Sequence, residues 1–135
     1  MKKHAFYAVI VIVLFLASLP GCRKEVEERP LTWQEKYTGN YTFTTIYHDA
    51  MYFMDDTSVF PGASTIYNES THQLRIDYTP SLTIYPHVSD TGNLAIENIG
   101  SHDYFSGHFS LDGKSIHFYR SSYYESWDVT GKKKE

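Results

Sequence analysis

Residues 104–120 read Tyr104-Phe105-Ser106-Gly107-His108-Phe109-Ser110-Leu111-Asp112-Gly113-Lys114-Ser115-Ile116-His117-Phe118-Tyr119-Arg120. Two alternating segments meet at Asp112-Gly113, a favoured centre for a two-residue hairpin turn. Such a turn pairs Leu111 with Lys114, Phe109 with Ile116 and His108 with His117. One face then carries Phe105, Gly107, Phe109, Ile116 and Phe118, and the other Ser106, His108, Ser110, His117 and Tyr119. A slip of one residue would mix the two sets, so the alternation specifies the register.

A second hairpin precedes it, turning at Asp90-Thr91-Gly92 with Gly92 expected at positive φ. Leu82, Ile84, Pro86 and Val88 share a face with Leu94 and Ile96, while Tyr85, His87 and Glu97 lie opposite. One dry and one wet face is the mark of an antiparallel sheet. Pro86 has no N–H for a ladder, so it calls for an edge or a bulge here. Alternating segments are also read at 40–48, 63–68, 73–78 and 123–129, with Pro61-Gly62 as a break and residues 51–60 as a strand or an excursion. Before them, the stretch from Pro30 to Tyr37 is expected to form one or two helical turns, opened by Pro30 and stopped by Gly39. Short connections between chain neighbours favour a meander. The expected fold is therefore all-β: an antiparallel meander of about seven or eight strands, a small barrel or curled sheet, with a short N-terminal helical turn.

The chain has 135 residues and one cysteine, Cys22. A positive start at Lys2-Lys3 leads into an apolar run from Ala5 to Ala17, shorter than the roughly 20 residues of a bilayer span. That pattern marks residues 1–21 as an export signal, with a short membrane anchor as the alternative. A lone cysteine cannot form a disulfide within its own chain. Leu19-Pro20-Gly21-Cys22 resembles the bacterial lipobox, whose cysteine is acylated and becomes the mature N-terminus. Pro20 departs from the small residue usual at that position. Each buried methylene adds about 0.8 kcal/mol of membrane affinity, so several acyl chains on Cys22 would make a stable anchor. Residues 22–29 are then the lipidated cysteine and a charged, flexible tether, and residues 30–135 the all-β domain. Glu25, Glu27 and Glu28 would suit a surface-export signal or simply a soluble linker. Without residues 1–21 the chain has 10 basic and 16 acidic residues, net −6, which argues against a nucleic-acid partner. Lys132-Lys133-Lys134 reads as a solvated tail.

Taken together, the lipobox-like segment, Trp33-Gln34-Glu35-Lys36-Tyr37-Thr38-Gly39-Asn40-Tyr41, the Gly107-His108-Phe109 and Asp112-Gly113 hairpin and the closing Asp128-Val129-Thr130-Gly131-Lys132-Lys133 resemble a group of short lipoproteins of the Bacteroidota. The resemblance spans nearly the whole chain. It implies a cell-envelope location and a small all-β domain, and it carries no activity. Trp33 followed by Gly39 and Tyr41 is also similar to the opening of lipocalin-like barrels.

Chemistry is sparse. The sequence holds no glycine-rich phosphate loop, no G-x-S-x-G elbow and no paired-histidine zinc motif. Asp77, Glu97, Asp103, Asp112, Glu125 and Asp128 are scattered, whereas a glycosidase needs two carboxylates facing across a cleft. His102 and His108 would stand about 20 Å apart on one continuous strand. His108 and His117 are neighbours in the hairpin register, a weak metal pair that leaves zinc short of ligands. No cofactor is expected. The densest aromatic stretch offers Tyr119, Tyr123, Tyr124 and Trp127, beside Arg120 and Glu125, as candidates for a ligand-binding surface or as walls of a small core. The reading that follows is a lipid-anchored outer-membrane lipoprotein, exposed on the surface or facing the periplasm. It would act without catalysis as a binding module for a glycan, a peptide or an envelope protein. A lipocalin-like carrier of a small apolar ligand is the alternative, and a hydrolase the third.

Overall fold

Residues 29–135 are described by a computed structural model, and the expectations for the signal, Cys22 and the tether up to residue 28 lie outside the described residues. One short helix, α1 (Trp33–Tyr37), precedes nine strands: β1 (Gly39–Asp49), β2 (Met54–Asn68), β3 (Gln73–Asp77), β4 (Thr83–Ile84), β5 (His87–Val88), β6 (Asn93–Ala95), β7 (Asp103–Phe109), β8 (Ser115–Ser122) and β9 (Glu125–Lys133). The sheet order is β2-β1-β9-β8-β7-β6-β5-β3-β4, and β3 pairs back onto β2. Eight antiparallel strands thus close a barrel in meander order, with β9 returning to β1. The remaining strand, β4, extends the β5 ladder along β3, since Ile76↔Ile84 and Gln73↔His87 share one register. The interruption falls at Tyr85-Pro86. The Pro86 carbonyl still accepts from the Leu74 amide at 2.9 Å, but Pro86 has no N–H to return that bond.

The register expected for the β7–β8 hairpin is the one observed: Phe109↔Ile116, Gly107↔Phe118 and His108↔His117. Its turn is wider than expected. Both central residues of a two-residue type I′ turn need positive φ. Here Gly113 has φ +70° and Asp112 does not, so Leu111–Lys114 form a four-residue loop closed by Ser110 N–H to the Ser115 carbonyl. Asp112 anchors this loop, accepting from the Ser110 hydroxyl and the Lys114 amide, and these bonds hold its carboxyl below the usual range. A Cβ on Gly113 would stand 2.2 Å from the Lys36 carbonyl oxygen. Gly113→Ala is therefore expected to destabilise the protein by more than the roughly 1–2 kcal/mol of left-handed backbone strain alone. A thermal melt reads this, and an unchanged midpoint would contradict it.

Three further expectations are corrected. The helix is opened by Thr32 rather than Pro30: the Thr32 hydroxyl accepts from the Glu35 amide and the Glu35 carboxylate accepts from the Thr32 amide, a reciprocal cap. Pro61-Gly62 does not break a strand, because β2 runs through it, with Thr42↔Pro61 and Tyr41↔Gly62. At Pro61 the strand has a neighbour only in β1, a one-sided position where proline is tolerated. Nor do the terminal lysines form a tail. Lys132 and Lys133 belong to β9, and the Lys133 ammonium donates to the Glu35 and Lys36 carbonyls at the C-terminal end of α1. A cation there meets the negative end of the helix.

The interior is filled by side chains. Phe43, Ile116 and Phe109 lie in one cross-strand row with Gly131; Val129, Phe118, Leu94 and Val88 lie in the next with Thr45 and Gly107. All of the apolar members are buried. At one end α1 reaches the β2–β3 and β5–β6 turns and the end of β7: Gln34 donates to Glu69, the Tyr37 hydroxyl to the Asp90 carbonyl, and the Tyr37 ring packs at a tilt against Phe109, with ring centres 4.7 Å apart. Tyr41 adds a bond from its buried hydroxyl to the Gly113 carbonyl. Burial raises the pKa of that hydroxyl. The opposite end, at the β1–β2 and β8–β9 turns, has no such plug among the described residues.

Candidate binding groove at the open end

Strand alternation decides which side chains meet at this end. On the outer face, His48 of β1 stands across from Asp55 of β2 and Ser126 of β9, and Ser126 across from Ser121 of β8. Tyr119 lies one row further in, opposite Asp128. The β1–β2 and β8–β9 turns rise above this face and bring Phe53, Tyr123 and Tyr124 to its rim. Together they bound an open groove of about 520 Å³. A smaller cavity of about 240 Å³ shares Tyr123 and Tyr124 with it and is bounded by Met51 and Tyr52.

Three of the four aromatic candidates therefore share one site: Tyr119, Tyr123 and Tyr124 all line the groove. Trp127 does not. The segment expected as a strand from 123 to 129 begins instead at Glu125, and Tyr123-Tyr124 form the turn. With β9 starting there, Ser126 and Asp128 face outward and Trp127 faces inward, 5.5 Å from the Tyr47 ring and 5.6 Å from the Arg120 guanidinium. His108 and His117 are outward neighbours as expected, with ring centres 5.9 Å apart. His117 is also paired with Asp128 at 2.9 Å. Among the described residues no group of three or more potential ligand side chains is placed to hold a metal ion.

The groove is acidic as well as aromatic. The His48 ring nitrogen is 2.6 Å from the Asp55 carboxylate. Glu125 accepts a 2.6 Å bond from the Tyr47 hydroxyl, and this bond is the main reason the Tyr47 pKa is pushed up to about 12. Asp49 accepts from the amides of Met51 and Tyr52 and so shapes the β1–β2 turn. Of the other carboxylates singled out above, Asp77 is bonded to Arg75 and Thr83, Glu97 lies 3.8 Å from His87, and Asp112 serves its own turn.

Among the described residues, four non-glycine positions have positive φ: His72 and Asn98 lie away from the groove, and Phe53 and Tyr123 line it. Phe53 and Tyr123 take φ of +53° and +49°. Bulky residues seldom adopt this left-handed region, where glycine or asparagine is comfortable. Both side chains are also exposed, Phe53 at 93% and Tyr123 at 74%. Tyr123 rests on the His102 ring at 4.6 Å. Phe53, His48 and Asp55 escaped the sequence reading because the β1–β2 connection carries no Gly, Pro or Asn to announce a turn.

No protein-family model, curated protein or solved structure matches this chain.

Proposed function

We propose that this protein is a lipid-anchored lipoprotein of the cell envelope, held in the outer membrane through Cys22, and that it acts without catalysis as a saccharide-binding module. One observation carries the binding reading: two strained, exposed aromatic residues, Phe53 and Tyr123, flank one groove on neighbouring turns. Strain of this kind clusters at ligand-contacting positions, and here neither side chain is recovering it through burial. Ring faces from Tyr119, Tyr123, Tyr124 and Phe53 suit the C–H faces of sugars. Carboxylates of Asp49, Asp55 and Glu125 suit their hydroxyls, which donate strong hydrogen bonds to charged acceptors. The same carboxylates repel nucleic acid and other polyanions. A groove of about 520 Å³ is also within the usual range for small-ligand sites. The filled barrel interior weighs against a carrier that encloses its ligand.

Tyr123→Gly and Phe53→Gly test this. Each relieves positive-φ strain while removing a ring. Thermal stability is expected to hold or rise, whereas binding to a panel of neutral oligosaccharides, measured by calorimetry, should weaken at least about ten-fold, the equivalent of one lost aromatic contact. Variants that bind as well as the wild type would remove the groove from the function. The anchor has its own test: Cys22→Ser should move the protein from the membrane to the soluble fraction, and a variant that stays membrane-bound after carbonate washing would point to the uncleaved segment instead.

A further inference from the structure

The barrel wall has a gap. β6 ends at Ala95 and pairs with β7 only at Asn93↔His108 and Leu94↔Gly107. From Asp103 to Ser106, β7 is paired on the β8 side alone, and β4 is paired on the β3 side alone. Between these two one-sided strands lies a cavity of about 180 Å³, with Ile84, Ile96, Ile99 and Phe105 among its apolar walls. The side to which the main chain offers its hydrogen bonds alternates along a strand. The Phe109 amide bonds the Gly92 carbonyl on the β6 side, so the Phe105 amide and carbonyl face that side too, where β6 no longer runs. Around β4, the Leu82 and Pro86 carbonyls accept from Tyr78 and Leu74 on the β3 side, which turns the Thr83 amide and carbonyl toward the gap. Strand edges left open in this way are ready to take a partner.

Tyrosines stand on both sides of this gap and join it to the groove. Tyr119 lines the groove, and its ring centre is 6.1 Å from that of Tyr104 on β7. Tyr104 lines the gap cavity from β7, and Tyr85 lines it from the β4–β5 break. Tyr85 in turn meets Tyr67 of β2 edge-on, with ring centres 4.7 Å apart. Tyr67, Tyr85 and Tyr104 are all exposed. Single exposed apolar side chains are ordinary, whereas a continuous run of them marks an interaction surface. From β8 to β2 this run crosses five inter-strand spacings of roughly 4.8 Å, about 24 Å of curved surface.

We infer that the ligand is a glycan chain of several sugar units, laid from the groove across the wall gap, and not a disaccharide held in the groove alone. The inference rests on the saccharide reading of the groove and adds the length of its ligand. Tyrosine faces along the run offer successive platforms for the C–H faces of sugar rings. Sugar hydroxyls both donate and accept, so they suit strand edges that present an amide and a carbonyl together, as Phe105 and Thr83 do. A polypeptide strand is a poorer occupant. β4 has only two residues, and the Asp103 amide of β7 is already bonded to the Gly100 carbonyl, which leaves too few open groups to template a strand.

The test uses the full chain and calorimetry with the disaccharides and hexasaccharides of glucose, mannose, xylose and N-acetylglucosamine. In a series that binds, the hexasaccharide is expected to bind at least about ten-fold more tightly than the disaccharide, more than the extra registers of a longer chain supply. Tyr104→Ala and Tyr85→Ala should each weaken the hexasaccharide several-fold and leave the disaccharide unchanged, because neither ring lines the groove. Tyr123→Gly should weaken both. The two alanine variants alter exposed side chains, so their thermal midpoints should stay close to the wild type. Equal affinity for the two lengths, or undiminished hexasaccharide binding in either alanine variant, would overturn the extended site and leave the groove standing. A wild type that binds none of these sugars would instead remove the saccharide reading itself, and this inference with it.

Discussion

Phe109→Ala is expected to lower the unfolding free energy by about 3–5 kcal/mol, the usual cost of emptying a buried aromatic site. Phe109 is 2% exposed and sits where three parts of the fold meet: its ring packs at a tilt against Tyr37 of α1, approaches Tyr41 of β1 at 6.3 Å, and lies in the row with Ile116 and Phe43. The cavity would open between the helical plug and the barrel floor, both pinned by other bonds, so little collapse can offset it. At this chain length the loss corresponds to a fall in melting temperature of roughly 12 °C or more. The neighbouring His108→Ala is the control. His108 is exposed on the outer face, and its loss is expected to stay within about 0.5 kcal/mol. Denaturant unfolding of both variants decides the matter, since an inverted order would mean that the β7–β8 register is wrong.

Gly62→Ala should be comparably damaging for the opposite reason. A Cβ at this position would stand 1.9 Å from the Asp77 carbonyl oxygen and 2.9 Å from two atoms of the Phe43 ring. The first of these neighbours is backbone and cannot rotate away. Gly62 lies immediately before Ala63, where β2 acquires β3 as its second neighbour and the barrel closes. The cost is expected at or above the upper end of the roughly 1–3 kcal/mol typical of overpacking. Amide exchange should localise it: the ladder from Ala63 to Ile66 would lose protection before the β8–β9 ladder does. Uniform loss of protection, or none, would show that closure does not depend on this close approach.

Parts of this structure were legible in the sequence for a physical reason that also explains what was not. The two hairpins at Asp90–Gly92 and Leu111–Lys114 could be read because apolar sets on both arms had to match across a recognisable turn. Burial on one face makes such a register nearly unique. Gly113 identified its turn correctly, but the turn's length depended on the φ of Asp112, which composition does not reveal. Pro61-Gly62 was misleading. Proline and glycine usually punctuate, yet here the proline sits where β2 is paired on one side and the glycine where Asp77 and Phe43 crowd the strand. The aromatic site was half legible. Tyr119, Tyr123 and Tyr124 converge because the β8–β9 turn lifts two of them over the face that carries the first. Trp127 is close to them in sequence and separated by the sheet itself, because alternation within β9 sends it inward. Their partners His48, Asp55 and Phe53 lie some seventy residues away along the chain, in a hairpin whose turn has Asp49 as its signal and no Gly, Pro or Asn.

The path of β1 has a mechanical consequence. This strand lies between β2 and β9, held by eleven residue pairs on one side and nine on the other. Its first residue is at the α1 end, where Leu31 enters, and its last is at the open end beside the groove. A pull between Leu31 and a partner gripped in the groove would therefore run along the strand axis. Both ladders would be sheared at once, with their hydrogen bonds sharing the load in parallel instead of opening one by one as in a zipper. Survival under such tension is set by the unfolding rate rather than by equilibrium stability.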